Sequence, residues 1–158
     1  LVIPERIQLT FNLEEISENA RPQEIASRII KLLPHTPYRS LGLNFDYFVA
    51  PPENQDFISF NHELLGKDNY KLLEEFNSDD ALFGRFFSKP YGEARLKLDI
   101  KPVRKEIDNK GLLKFNFNFH HDVSGIEISE RSSKLIELIK TWDALQKYSR
   151  ELVDLGTQ

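Results

Sequence analysis

The chain contains neither cysteine nor methionine. Without thiols it has no disulfide, no cysteine nucleophile and no thiolate metal site, and a reducing, cytoplasmic setting is expected. Methionine is missing even from position 1, and a removed initiator or a place within a longer protein is among the expectations for Leu1. No apolar run approaches the roughly 20 residues that a membrane-spanning helix requires. No short apolar stretch follows a basic N-terminus in the manner of a signal peptide. Glycine is scarce, at seven residues, and there is no Walker loop, no Gly-x-Gly-x-x-Gly turn and no Gly-x-Ser-x-Gly elbow. Charge of one sign is lacking too. The 21 basic and 25 acidic residues are interspersed and leave a net charge of -4, which argues against a dedicated nucleic-acid binder. No cofactor and no resident metal are expected.

What remains is a chain of 158 residues, 40% apolar and 29% charged, long enough to bury a sizeable core as a single domain. Four segments alternate apolar and polar residues. Ile7, Leu9, Phe11 and Leu13 oppose Arg6, Gln8, Thr10 and Asn12. Leu41, Leu43, Phe45, Tyr47 and Val49 oppose Ser40, Gly42, Asn44 and Asp46. Ala94, Leu96, Leu98 and Ile100 oppose Arg95, Lys97, Asp99 and Lys101. Leu113, Phe115, Phe117, Phe119 and Val123 oppose Lys114, Asn116, Asn118, His120 and Asp122. A period of two places alternate side chains on opposite faces of a strand. Each segment then has one apolar and one wet face, as in an antiparallel sheet covered on one side. The stretch Arg104 to Gly111, with Asp108-Asn109 inside it, predicts a hairpin loop between the last two strands. The run Leu82 to Phe87 predicts a fifth strand without alternation, at an edge or under a helix.

Helical spacing fills the intervals. Pro22 opens a helix striped by Ile25, Ile29, Leu32 and Leu33, and Pro34 stops it. A second helix is expected from about Asn54 to Leu65, and a short turn of helix near Tyr70 to Phe76. A long C-terminal helix, capped by Ser129, carries Leu135, Leu138, Ile139, Trp142, Leu145, Tyr148, Leu152 and Leu155 at helical spacing. The expectation is a single α+β domain over residues 1–158, or a piece of a longer protein. Its antiparallel sheet has four to five strands with helices on one face, in the order β-α-β-α-(β)-β-β-α.

The wet sheet face gathers the residues with chemistry. Asp46, Asp99, His120 and Asp122 include the right types for a hard or borderline metal site, and an Asp–His pair can act as a general base. The competing reading is a solvated face of cross-strand charge pairs, since no metal or catalytic spacing rule is met. His120 and His121 project to opposite faces of a strand and so do not chelate one ion together. Phe115, Phe117 and Phe119 have the makings of a base-stacking platform, but they share the face expected to meet the helices and lack a basic surround. The C-terminal helix is apolar nearly all round, so one side can cover the sheet while Trp142, Tyr148 and Leu152 meet a partner or a second copy.

The stretch Tyr38-Arg39-Ser40-Leu41-Gly42-Leu43-Asn44-Phe45-Asp46-Tyr47 follows a helix, and Leu96-Lys97-Leu98-Asp99-Ile100 and a Trp-containing helix come later. In this order the chain resembles, from about residue 22 to 155, a sporadically distributed family of bacterial proteins without a known activity. That resemblance implies an α+β domain in a bacterial protein and no site residues. The functional expectation is a non-catalytic protein-interaction or self-association domain, using the C-terminal helix or the sheet edge near Leu82 to Phe87. The alternative is a small-molecule or metal-dependent enzyme using the polar sheet face. Neither a nucleic-acid nor a membrane partner is expected.

Overall fold

The computed structural model describes residues 2–3, 6–12, 21–66, 76 and 78–157. They form two short strands, β1 (Val2–Ile3) and β2 (Arg6–Ile7), then α1 (Pro22–Leu32), β3 (Ser40–Val49), α2 (Phe57–Leu65), β4 (Arg85–Tyr91), β5 (Ala94–Arg104), β6 (Gly111–Asp122), α3 (Ile128–Ile139) and α4 (Trp142–Gly156). This is the expected α+β class. An antiparallel sheet has the order β3-β6-β5-β4, and β1 pairs separately with β2. Two compact units are built from these elements, one from residues 1–41 and 122–144 and the other from 42–121 and 145–158.

In the first unit α1 packs against α3. Ile30, Val123, Leu135, Leu138 and Ile139 form a buried cluster, bordered by Ala26, Tyr38, Leu41, Ile126 and Ile136. Pro22 occupies the first helical turn, where its missing N–H has no partner to lose. The Arg131 guanidinium donates to three main-chain carbonyls, those of Ile126 (2.7 Å), Ser124 (2.7 Å) and Tyr38 (3.0 Å). Its planar fork ties the loop after β6 to the segment before β3.

In the second unit the fully buried Leu113, Phe115, Phe117 and Phe119 of β6 form the centre of the core, with Leu43 and Phe45 of β3 and Leu96 and Ile100 of β5 also buried. The rings meet edge to face, Tyr47 with Phe117 at 5.8 Å and Phe45 with Phe119 at 6.1 Å between centroids. α2 and α4 lie on this side of the sheet. A Cβ at Gly111 would overlap the Phe57 ring of α2, so only glycine fits there. The Tyr47 hydroxyl donates to the Gln146 carbonyl of α4 at 3.1 Å. Burial raises the Tyr47 pKa above 10.0, against a smaller opposing pull from Arg150. The folded state therefore holds this proton at a pH where the unfolded chain releases it. The resulting stability is present below about pH 10 and is lost as pH rises through the folded value. Tyr47→Phe is expected to flatten that alkaline loss in urea unfolding curves taken on both sides of pH 10.

Several expectations need correction. The segment beginning at Ile7 pairs only through Arg6–Ile7, and residues 8–12 are irregular; alternation makes a segment amphipathic, but a strand also needs a partner for its ladder. Leu13 lies outside the described residues, as does most of the helical turn expected at Tyr70 to Phe76; Phe76 itself stands in a turn. The second helix starts at Phe57 because Asp56 caps it, accepting from the N–H groups of Ile58 and Ser59 at 3.0 Å each. Those bonds, with that from the Ser59 hydroxyl leading, hold the Asp56 carboxyl below its usual range. The C-terminal helix is two helices. At the break Lys140 and Thr141 donate their N–H groups back three residues, to Glu137 and Leu138. The Thr141 hydroxyl also bonds the Leu138 carbonyl, at 2.7 Å, which ends the four-residue ladder. The N-cap of α3 is Glu127 and not Ser129, which sits inside the first turn.

Candidate functional site

The polar sheet face forms as the alternation predicts, and its residues are engaged with one another. Lys114 pairs with Asp46 at 2.8 Å, Asn116 donates to the same carboxylate, and Asn118 donates to Asn44 at 2.6 Å. Asp99 pairs with Lys101 on its own strand at 3.0 Å and stands opposite Asn116. His120 stands opposite Arg95. His120 is four residues along β6 from Asn116, the residue beside both carboxylates, a separation of about 13 Å along a strand. The geometry therefore brings Asp46 and Asp99 to opposite sides of Asn116 and brings His120 to neither. Asp122 belongs to the other unit, where it accepts from the Ser124 N–H at 2.8 Å. Among the described residues no three His, Cys, Asp or Glu side chains gather where they could hold a metal ion.

The three helix residues singled out for a partner also separate. Trp142, half-buried, begins α4 in the first unit. In the second unit the Tyr148 ring stacks on Tyr91 at 4.8 Å, and its hydroxyl accepts from the Lys89 ammonium at 2.9 Å. Leu152 lines a cavity of about 450 Å³ whose walls are largely apolar, among them Leu64, Leu96, Leu98, Ile100 and Phe115. Leu155 of α4 and Phe87 and Lys89 of β4 stand at the same cavity.

The strongest surface feature is β4, one of the two edge strands of the sheet, with β3 at the other side. β4 runs from Arg85 to Tyr91, starting three residues later than the sequence pattern indicates and ending four residues later; the late start follows from α2, which captures the backbone ahead of it. The fully buried Asn61 accepts from the Phe83 N–H at 2.7 Å and donates to the Phe83 carbonyl at 2.8 Å. The ring of His62 bonds the Ala81 carbonyl at 2.6 Å and rests 5.0 Å from the Phe83 ring. Sequence reasoning missed this clamp; an asparagine in a helix gives no pattern of its own.

β4 and β5 are joined by the two-residue turn Gly92-Glu93, with Gly92 at a φ of 56°, the positive value a tight hairpin turn requires. In such a hairpin the residues flanking the turn exchange both backbone bonds, and every second pair outward does the same. Tyr91 faces Ala94, Lys89 faces Leu96, Phe87 faces Leu98 and Arg85 faces Ile100. Those residues bond within the sheet. The backbone of Phe86, Ser88 and Pro90 points away from β5, which explains why a proline is tolerated inside a strand. Residues 86–90 are all exposed, Phe86 at 63% and Phe87 at 48%.

No protein-family model, no curated protein and no solved structure matches this chain, and no helix of its described residues is long and apolar enough to cross a membrane.

Proposed function

We propose that this chain is a non-catalytic interaction domain that binds an extended polypeptide by adding it as a strand along β4. The observation that carries this reading is the edge itself, with the main-chain groups of Phe86 and Ser88 turned outward beside two exposed phenyl rings. Main-chain bonds from an added strand supply affinity, and alternate side chains of that strand supply specificity. On the helix side of the sheet those side chains would meet Phe87, Lys89 and the apolar cavity behind them. The edge is favoured over the C-terminal helix because Tyr148 and Leu152 are already engaged with Tyr91, Lys89 and the cavity wall. A cytoplasmic, bacterial setting and a protein partner or second copy complete the reading. The cysteine-free composition is in keeping with it.

Ser88→Pro tests the mode of binding. The Ser88 N–H lies outside the β4–β5 ladder, so the substitution should leave the fold intact, as Pro90 already does two residues on. Extended peptides selected from a random display library against the wild-type chain should bind it and lose roughly tenfold or more in affinity on Ser88→Pro, as expected when main-chain bonds are removed. Peptides that bind both proteins equally, or a library that yields none, would contradict the reading.

A further inference from the structure

We infer that the strand added along β4 is β4 of a second copy, paired antiparallel about a two-fold axis at Ser88. The inference rests on the strand-addition reading and names its partner. It comes from the order of side chains in Arg85-Phe86-Phe87-Ser88-Lys89-Pro90-Tyr91. An antiparallel pairing of two identical strands is isologous, so its register is defined by the residue at the axis. With Ser88 at the axis, Phe86 faces Pro90 of the other copy, Phe87 faces Lys89, and Arg85 faces Tyr91. All seven residues of β4 take part, and no like charges meet.

The hydrogen bonds follow from the same register. The two Ser88 residues exchange two bonds across the axis, and each Phe86 N–H reaches the Pro90 carbonyl of the other copy, giving four. The two bonds lost are those for which Pro90 has no donor. A register centred on Phe87 also gives four bonds but sets Arg85 directly against Lys89, and one centred on Lys89 opposes the two lysines. Like charges directly across a strand pair are destabilising. Ser88 therefore marks the register with full overlap and no repulsion. On the polar side, each Phe86 ring lies over a proline. On the helix side, each Phe87 lies beside Lys89 of the other copy, at the cavity that Lys89 lines.

The chain has no cysteine, so single-cysteine variants report the register directly. At the axis the two Cα atoms of a hydrogen-bonded pair stand about 5.5 Å apart, inside the range a disulfide spans. Two Phe86 residues would be separated by four positions, about 13 Å along the strands, outside that range. Ser88→Cys, Phe86→Cys and Phe87→Cys proteins, each checked for an unchanged circular dichroism spectrum, would be oxidised with diamide and run on non-reducing gels. The expected result is a covalent dimer from Ser88→Cys forming roughly tenfold faster than from the other two, as the disulfide geometry requires. Faster linkage through Phe87→Cys would overturn the register, and equally slow linkage of all three would overturn self-pairing. If Ser88→Cys fails to link while display-selected peptides still bind and still depend on Ser88, the second copy is excluded and strand addition stands. If peptide binding is also absent, both readings fall together.

Discussion

Phe117→Ala is expected to destabilise the protein by about 3 to 5 kcal/mol, the cost of removing a phenyl ring from a core that cannot collapse onto the space. Phe117 is fully buried on β6, the strand flanked by β3 on one side and β5 on the other, and it faces Leu98 across the ladder. The Tyr47 ring packs edge-on against it. A loss of that size is a large share of the 5 to 15 kcal/mol that holds a typical domain together. Urea unfolding should show the midpoint falling steeply, with Phe117→Leu intermediate because it keeps most of the apolar volume. The same experiment separates two readings of the alternating phenylalanines. A base-stacking platform would be solvent-facing and would tolerate alanine with little change; a core position does not.

Asn61→Leu is expected to cost about 2 to 4 kcal/mol, although it replaces a polar residue by an apolar one of similar size in a buried place. The reason is the accounting of main-chain partners. Asn61 satisfies both the N–H and the carbonyl of Phe83, and leaving buried polar groups unpaired costs about 1 to 3 kcal/mol apiece. Because Phe83 lies two residues before β4, the variant should also loosen the start of the edge strand. Thermal unfolding measures the first effect. Amide exchange at Arg85 and Phe87, whose backbone bonds lie in the ladder, measures the second. An unchanged melting temperature with unchanged protection would remove the clamp from the account.

The parts of the fold that were legible in the sequence are those where one physical rule acted alone. β3, β5 and β6 each have a covered and a wet face, so strict alternation located them, and the polar stretch between Arg104 and Gly111 became the expected hairpin loop. Pro22 and Pro34 bounded α1 because a proline has few places to stand near a helix. Where two rules competed, pattern reading failed. β4 is an edge, exposed on both faces over residues 86–90, so no alternation was imposed on it, and it runs on through Pro90 because that residue needs no donor for the ladder. The Thr141 break was hidden because apolar spacing continues across it from Leu138 and Ile139 to Trp142 and Leu145. The polar face was legible as a face. Which of its carboxylates pair with which lysines depends on register, which follows from loop length and turn geometry and not from residue type.

The measurement that bears most directly on the central claim is amide hydrogen exchange along β4, residue by residue, over a wide range of protein concentration and with a display-selected strand peptide added. The amides of Phe87, Lys89 and Tyr91 belong to the ladder with β5 and should be protected throughout. The amides of Phe86 and Ser88 should exchange freely in the dilute chain and become protected when a strand is added, by a second copy at high concentration or by the peptide. If Phe86 and Ser88 exchange at the same fast rate under every condition while the ladder amides stay protected, nothing adds along this edge, and the proposed function is wrong.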